Sequence, residues 1–304
     1  MNRRSFLSAV AIAPVLAALA ACGDPNVASG TDPTTAGTVP GSVPGTTPHT
    51  TTGTAPPTAA AIAHPTGADE VVLRLSYEGG LVAAGYAFVN TPSLLVSGDG
   101  RVFTPGMVPA IYPGPLLPTI IVRRISEDGM QALLGIVQAA GLMAPPPEYP
   151  DLHIVSDAPN TVLTINAGGG TFVHSAYALG IGGSGAETGV RRTLLDVATA
   201  LGDLDKAVGE ATLEPDAAFV ATSYRLQARA VDATELTGQD PAPNVVDWPA
   251  GVAVSLADAT ECVRVDAAAV GSLFIDAKQN TYFKQADVVY QLAVAGVLPG
   301  DPVC

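Results

Sequence analysis

The sequence predicts an α+β fold, mainly antiparallel sheets with two or three amphipathic helices packed on them. Three observations carry that reading. Strand-like runs are joined by short glycine turns, two stretches repeat apolar residues at i, i+3, i+4 and i+7, and strands and helices do not alternate strictly as a parallel sheet requires. Hydrophobic residues make up 48% of the chain and charged ones 14%, so the patterned part has the apolar mass to bury a core.

Residues 71–77 alternate as a strand. Residues 93–97 and 101–104 flank Gly98-Asp99-Gly100, a hairpin signal, and the proline-rich run 105–118 reads as loop. After a strand at 119–124, Ser126 caps a helix. Glu127 and Asp128 sit in its positive first turn, Met130, Leu133, Leu134 and Val137 form its inward stripe, and Gly141 lies just past its end. Residues 161–166 and 171–177 flank Gly168-Gly169-Gly170 as a second hairpin. A further helix at 190–201 turns Leu194, Val197, Ala198 and Leu201 inward and stops at Gly202.

The C-terminal part echoes this plan. Residues 122–126 read Val-Arg-Arg-Ile-Ser and residues 262–266 read Cys-Val-Arg-Val-Asp. Counted from Ser126 and Asp266 as caps, Val270, Leu273, Phe274 and Ala277 answer to the stripe of the first helix, and a hairpin at 281–284 and 288–294 follows. The expectation is two α+β halves, 67–209 and 210–304, related by duplication, with a chance match of two amphipathic helices as the alternative.

The first 66 residues carry no such pattern. Asn2, Arg3 and Arg4 precede an apolar, alanine-rich run from 9 to 21, too short for a membrane span, and small residues lead to Cys22. Arg3-Arg4-Ser5-Phe6-Leu7 resembles a twin-arginine export signal, with ordinary Sec export as the alternative. Leu19-Ala20-Ala21-Cys22 is similar to a lipobox. Together they resemble the exported lipoproteins of actinobacterial type, a family whose function is uncharacterised. That resemblance implies a signal peptide at 1–21 and a diacylated Cys22 as the mature N-terminus. It implies a place outside the cytoplasm, on the outer face of the cytoplasmic membrane. Residues 22–66 are Thr, Pro, Gly, Ser and Ala with few charges, a composition that reads as a disordered tether, either bare or O-glycosylated.

The chain is acidic, −14 overall. The predicted signal removes two Arg of 14 basic residues and no acid, leaving 12 against 28 acidic residues and −16. Such a chain repels phosphate backbones and anionic headgroups, which excludes nucleic acid as a partner and leaves the lipid anchor as the membrane contact. With Cys22 lipidated, Cys262 and Cys304 remain in an oxidising compartment, to be read as a disulfide or as two free thiols.

The chemistry-bearing motifs are weak. Gly180, Gly182 and Gly185 fit a dinucleotide fingerprint, but no second parallel strand with a terminal acid follows, so no cofactor is expected. Ser184 lacks the last glycine of a nucleophile elbow. His153, Asp157 and His174 are proper metal donors at a spacing that fits no metal motif, and His174 alternates with Phe172 and Ala176 as a core histidine would. Asp203, Asp205 and Glu210 lack a calcium loop around them. Trp248, the single tryptophan, reads as a core anchor at a turn or, if exposed, a contact residue. No catalytic, cofactor or metal residue is therefore assigned. The expected function is a binding module for an envelope protein or wall component, with an exported enzyme of scattered active site as the alternative.

Overall fold

Twelve strands and six α-helices among the described residues form two mostly antiparallel sheets. The computed structural model describes residues 60–83, 85–151, 155–302 and 304, and Thr58–Cys304 forms one unit. The signal, Cys22, His49, His153, the tether up to residue 59 and the side chain of Ser184 lie outside the described residues. Among the described residues no helix is long and apolar enough to cross a membrane.

The first sheet holds β1 (Val71–Glu78), β2 (Leu94–Ser97), β3 (Arg101–Pro105), β4 (Ile120–Arg124), β5 (Asn160–Ala167), β6 (Gly170–Tyr177) and β7 (Ala217–Ala218), in the order β6-β5-β1-β2-β3-β4-β7. The β5–β6 turn needs positive φ at both central positions, and Gly168 and Gly169 supply it at +61° and +79°. A short helix, α1 (Tyr86–Val89), fills the β1–β2 connection. Helices α2 (Glu127–Ala139), α3 (Gly189–Gly202) and α4 (Leu204–Val208) cover one face of the sheet. Alternation in β1 and β5 turns Leu73, Leu75, Leu163 and Ile165 onto that face. Both predicted stripes meet them: Met130, Leu133, Leu134 and Val137 of α2, and Leu194, Val197, Ala198 and Leu201 of α3, are all buried. Each such leucine contributes about 1.5–3 kcal/mol on leaving water. Ser126 caps α2 by accepting from the Gly129 N–H at 3.3 Å. A Cβ at Gly129 would stand 2.6 Å from Ile125 Cγ1, so only glycine fits beneath the cap.

The second sheet holds β8 (Ser223–Val231), β9 (Asn244–Asp247), β10 (Val263–Asp266), β11 (Thr281–Gln285) and β12 (Val288–Gly296), ordered β10-β8-β12-β11-β9. Strand β9 runs parallel to β11; the other pairings are antiparallel. Its core is aromatic. Trp248 is buried with ring centroids 6.0 Å from both Phe274 and Phe283, and its indole N–H donates to the Val254 carbonyl at 3.1 Å. It is a core anchor.

Three sequence expectations change. The duplication fails: β4 lies between β3 and β7, whereas β10 is an edge beside β8. The second helix breaks at Gly271, φ +54°, into α5 (Ala267–Val270) and α6 (Leu273–Asp276), and Asp266 makes no side-chain cap. Val270, Phe274 and Ala277 are nonetheless buried, because an inward stripe specifies a face and not the neighbours of a strand. The chain shows no break at 209/210: Thr58–Cys304 is one unit, and residues beyond 210 still belong to the first sheet. Thr212 and Glu214 bond to Ser126 and Arg124, β7 joins β4, and Phe219 packs into the cores of both sheets. Finally, the tether expected to reach Thr66 has its last residues docked. Gln131 exchanges two hydrogen bonds with the Ile62 backbone, Ala63 O accepts from the Gly168 N–H at 2.7 Å, and Ile62 packs on the core.

Glu127 helps hold this docked segment. A hydrogen bond from Gln131 keeps its carboxyl below the ordinary glutamate value, against a burial penalty, and His64 adds to the lowering. A depressed carboxyl stabilises the fold above its unfolded pKa and loses that contribution as pH falls through the folded one. Amide exchange at Ile62 and Gly168 is therefore expected to accelerate on acidification into that range. The Glu127→Gln variant should exchange at a rate that no longer depends on pH there beyond the intrinsic chemistry. Cys262 and Cys304 are bonded, their Cα atoms 5.1 Å apart across 42 residues of sequence. Closing a loop of that size stabilises by about 4 kcal/mol in the chain-entropy model. Urea unfolding of a Cys262→Ser/Cys304→Ser variant is expected to show a loss of that order with an altered m-value.

Candidate functional site

The glycine-rich connection after β6 is occupied by the protein itself. The Gly180 N–H donates to Glu187 Oε1 at 2.9 Å, where a pyrophosphate site would turn it on a ligand. Glu187 is in turn gripped from one helical turn away by Arg191, Nε to Oε2 at 2.7 Å and Nη2 to Oε1 at 2.9 Å. The remaining guanidinium protons donate to the Tyr177 and Pro150 carbonyls at 3.1–3.2 Å. Both side chains are almost fully buried. Gly180 thus serves a clamp that joins the end of β6, the segment before β5 and the start of α3. The Glu-x-x-x-Arg spacing was its only trace in the sequence, and an i,i+4 pair is ordinarily read as a solvated helix face.

The other singled-out residues do not converge. His174 is fully buried; its Nε2–H donates to the Leu142 carbonyl at 2.8 Å, and its Nδ1 accepts from the Tyr149 hydroxyl at 2.7 Å. Burial raises the Tyr149 pKa, which keeps that hydroxyl a donor. With both ring nitrogens engaged, His174 is a core histidine, and Asp157 lies exposed in a turn with φ +62°. Asp203 caps α4 through the Lys206 N–H, Asp205 pairs with Arg123 at 2.8 Å, and Glu210 is exposed. Among the described residues no three His, Cys, Asp or Glu side chains gather to hold a metal.

An open cleft of about 670 Å³ lies beside the docked segment, lined by His64, Glu70, Asn166 and Thr171. Its polar groups are turned on one another. Glu70 accepts from Gly67, Thr171 donates to Asn166 Oδ1, and Asn166 Nδ2 donates to Val71 O. Nothing there is aimed at a ligand.

The strand register defines a different site. Glu78 at the end of β1 pairs with Asn160 at the start of β5, and Leu75 pairs with Leu94 at the start of β2. Pro105 at the end of β3 pairs with Ile120 at the start of β4, Tyr177 ends β6 opposite Asn160, and Ala218 ends β7 opposite Ile121. Every one of these junctions falls at the same end of the first sheet. Four of the segments that meet there, 79–98, 102–122, 158–186 and 217–224, contain no Asp, Glu, Lys or Arg in a chain that has 42 such residues, 14 basic and 28 acidic. Large apolar side chains stand exposed on them: Met107 is 93% exposed, Leu81 82% and Val220 80%, with Val108, Ile111 and Tyr112 also open. The 106–119 loop is nevertheless fixed at both ends. The Gly106 N–H donates to Thr119 O at 2.8 Å, Gly114 and Gln279 exchange hydrogen bonds, and Leu116 N–H donates to Ala277 O at 3.0 Å. Leu116 and Leu117 pack into the second core. The result is a set of apolar tips on a rigid base.

No protein-family model, no curated protein and no solved structure matches this chain.

The clamp yields a prediction about this surface. Removing one partner of a buried, hydrogen-bonded ion pair costs about 3–5 kcal/mol, whereas replacing both with apolar or neutral groups is often close to neutral. Arg191→Met should lower unfolding stability by that amount and loosen the 178–186 connection in amide exchange. The Glu187→Gln/Arg191→Met double variant should recover part of the loss, as a double-mutant cycle by chemical denaturation will show.

Proposed function

We propose that this chain is a cell-envelope lipoprotein, held outside the cytoplasm by lipid on Cys22, that binds another envelope component through the uncharged end of its first sheet. The observation that carries the binding reading is the segregation itself. Exposed apolar patches on a soluble fold mark contact surfaces, and interface centres are depleted of charge and enriched in Met and Tyr. Leu81, Met107, Val108, Ile111, Tyr112 and Val220 supply that composition at one end of an acidic protein. The fixed base of the 106–119 loop lowers the entropy cost of binding, because the tips need little ordering on contact. Support for the address comes from the sequence: the apolar run ending in Leu19-Ala20-Ala21-Cys22, followed by a Thr- and Pro-rich stretch before the folded unit. Two acyl chains on one cysteine anchor a protein stably, where one chain holds it only marginally.

Cys22→Ala is expected to move the protein out of the membrane fraction or to leave the signal uncleaved. Membrane retention with normal processing would refute the anchor. For the binding surface, a photo-crosslinking residue at Ile111 should form adducts in intact cells of the source organism, and one at the exposed Gln138 of α2 should not. Equal yields from the two positions would refute the surface.

A further inference from the structure

We infer that the occupant of the uncharged end is a protein offering an apolar cleft rimmed by Lys and Arg, an inference that rests on the binding reading above. The apolar tips are flanked by acids. Glu78 ends β1 immediately before the uncharged 79–98 segment. Asp157 lies beside Leu81, whose N–H donates to the Asp157 carbonyl at 3.3 Å. Asp151 follows Pro150, held to the same end of the sheet by Arg191. Asp276 precedes Ala277, the residue that receives Leu116. All four acids are exposed; they stand against exposed Lys278 opposite Pro115, Arg264 on the Ser223 hydroxyl, and Arg192, which is paired with Asp196. Three of the first sheet's arginines gather at the other end, where Arg101 pairs with Arg124 and Val102 with Arg123, while Arg74 lies mid-strand opposite Leu95 and Thr164.

This arrangement discriminates between occupants. An anionic bilayer would meet the acidic flank as it received the tips, and charges near such a surface are worth about 1 kcal/mol each. A second copy would bring acid against acid on a chain already at −14. A cleft with basic walls is steered toward the flank and desolvates an uncharged centre, so its electrostatic and apolar contributions have the same sign. Polar backbone groups near the tips are already paired at Gly106, Gly114 and Leu116, so burying the loop base leaves those groups satisfied.

The test starts from the full-length chain in its own membrane with the photo-crosslinking residue at Ile111. The adduct is identified by mass spectrometry, the protein found is purified, and its affinity is measured against the purified chain. The expected result is affinity that falls at least about tenfold for Ile111→Asp and for Met107→Asp. Affinity should also fall for the charge-reversing Glu78→Lys/Asp157→Lys variant and with rising salt. Both tip positions are exposed, so unchanged melting curves are expected to accompany these losses; Ile111→Ser and Met107→Ser serve if the acidic variants fold poorly. Adducts only with lipid, together with sedimentation on phosphatidylglycerol vesicles, would overturn the inference, as would adducts only with the chain itself. A partner whose affinity ignores both salt and the charge reversal would overturn the basic rim while leaving the binding surface standing. Absence of any adduct specific to Ile111 would overturn both readings.

Discussion

Arg191 occupies a position that helix electrostatics disfavours, the first turn of α3, where the backbone dipole repels a cation. It is held there by Glu187, and the pair is buried deeply enough that neither charge is solvated as it would be in water. A buried pair of this kind is tolerable only when its remaining protons and lone pairs are satisfied. Here they are met by backbone. The carbonyls of Tyr177 and Pro150 take the free guanidinium protons, and the Gly180 N–H reaches the carboxylate. Satisfying the pair therefore obliges three distant stretches of chain to meet at one point. The end of the first sheet is built around that obligation.

The same end is where the antiparallel register delivers the connections, and the first sheet carries most of its arginines at the opposite one. Arg101 and Arg124 face each other across β3 and β4, an arrangement that repels unless counter-charge is at hand. Asp99 in the β2–β3 turn provides it, accepting from Arg101 Nε at 2.8 Å while its carbonyl accepts from Arg124. With Arg101, Arg123 and Arg124 placed at that end and Arg74 mid-strand, the connections at the opposite end are left largely to glycine, proline and apolar residues. The second sheet then attaches beside those connections, through Gln279 on Gly114, α1 against β12 and Phe219 in both cores.

Much of this was legible from local pattern. The stripes of α2 and α3, the Ser126 cap and the two glycine hairpins are properties of a few neighbouring residues, and each is found where its spacing put it. Strand β8 shows the limit. Tyr224, Leu226 and Ala228 alternate inward, but no glycine or proline at its edges punctuates the run as a strand. The supposed repeat failed for a related reason: a stripe reports which side of a helix is wet, and strand order is a long-range matter. The candidate surface was invisible at that level although its parts were plain. Uncharged runs at 79–98 and 102–122 are evident by inspection, yet only the pairing of β1 with β5 and of β3 with β4 places them together.

An exposed apolar loop is also an aggregation hazard, and the sequence of this one answers it. Met107, Val108, Ala110, Ile111 and Tyr112 would make a good strand if uninterrupted, since they are apolar, uncharged and partly β-branched. Pro105, Pro109, Pro113, Pro115 and Pro118 break that run at intervals of two to four residues. Each proline removes a donor that a neighbouring chain would need for pairing, so the loop cannot serve as a template edge. What it retains is side-chain surface without a backbone ladder. That combination permits insertion of individual side chains into a preformed cleft and opposes the sheet-like association through which identical chains aggregate. Proline therefore does two things in this segment: it holds the tips apart as separate apolar points, and it denies an uncharged surface in an otherwise acidic chain the backbone ladder that strand-to-strand association needs.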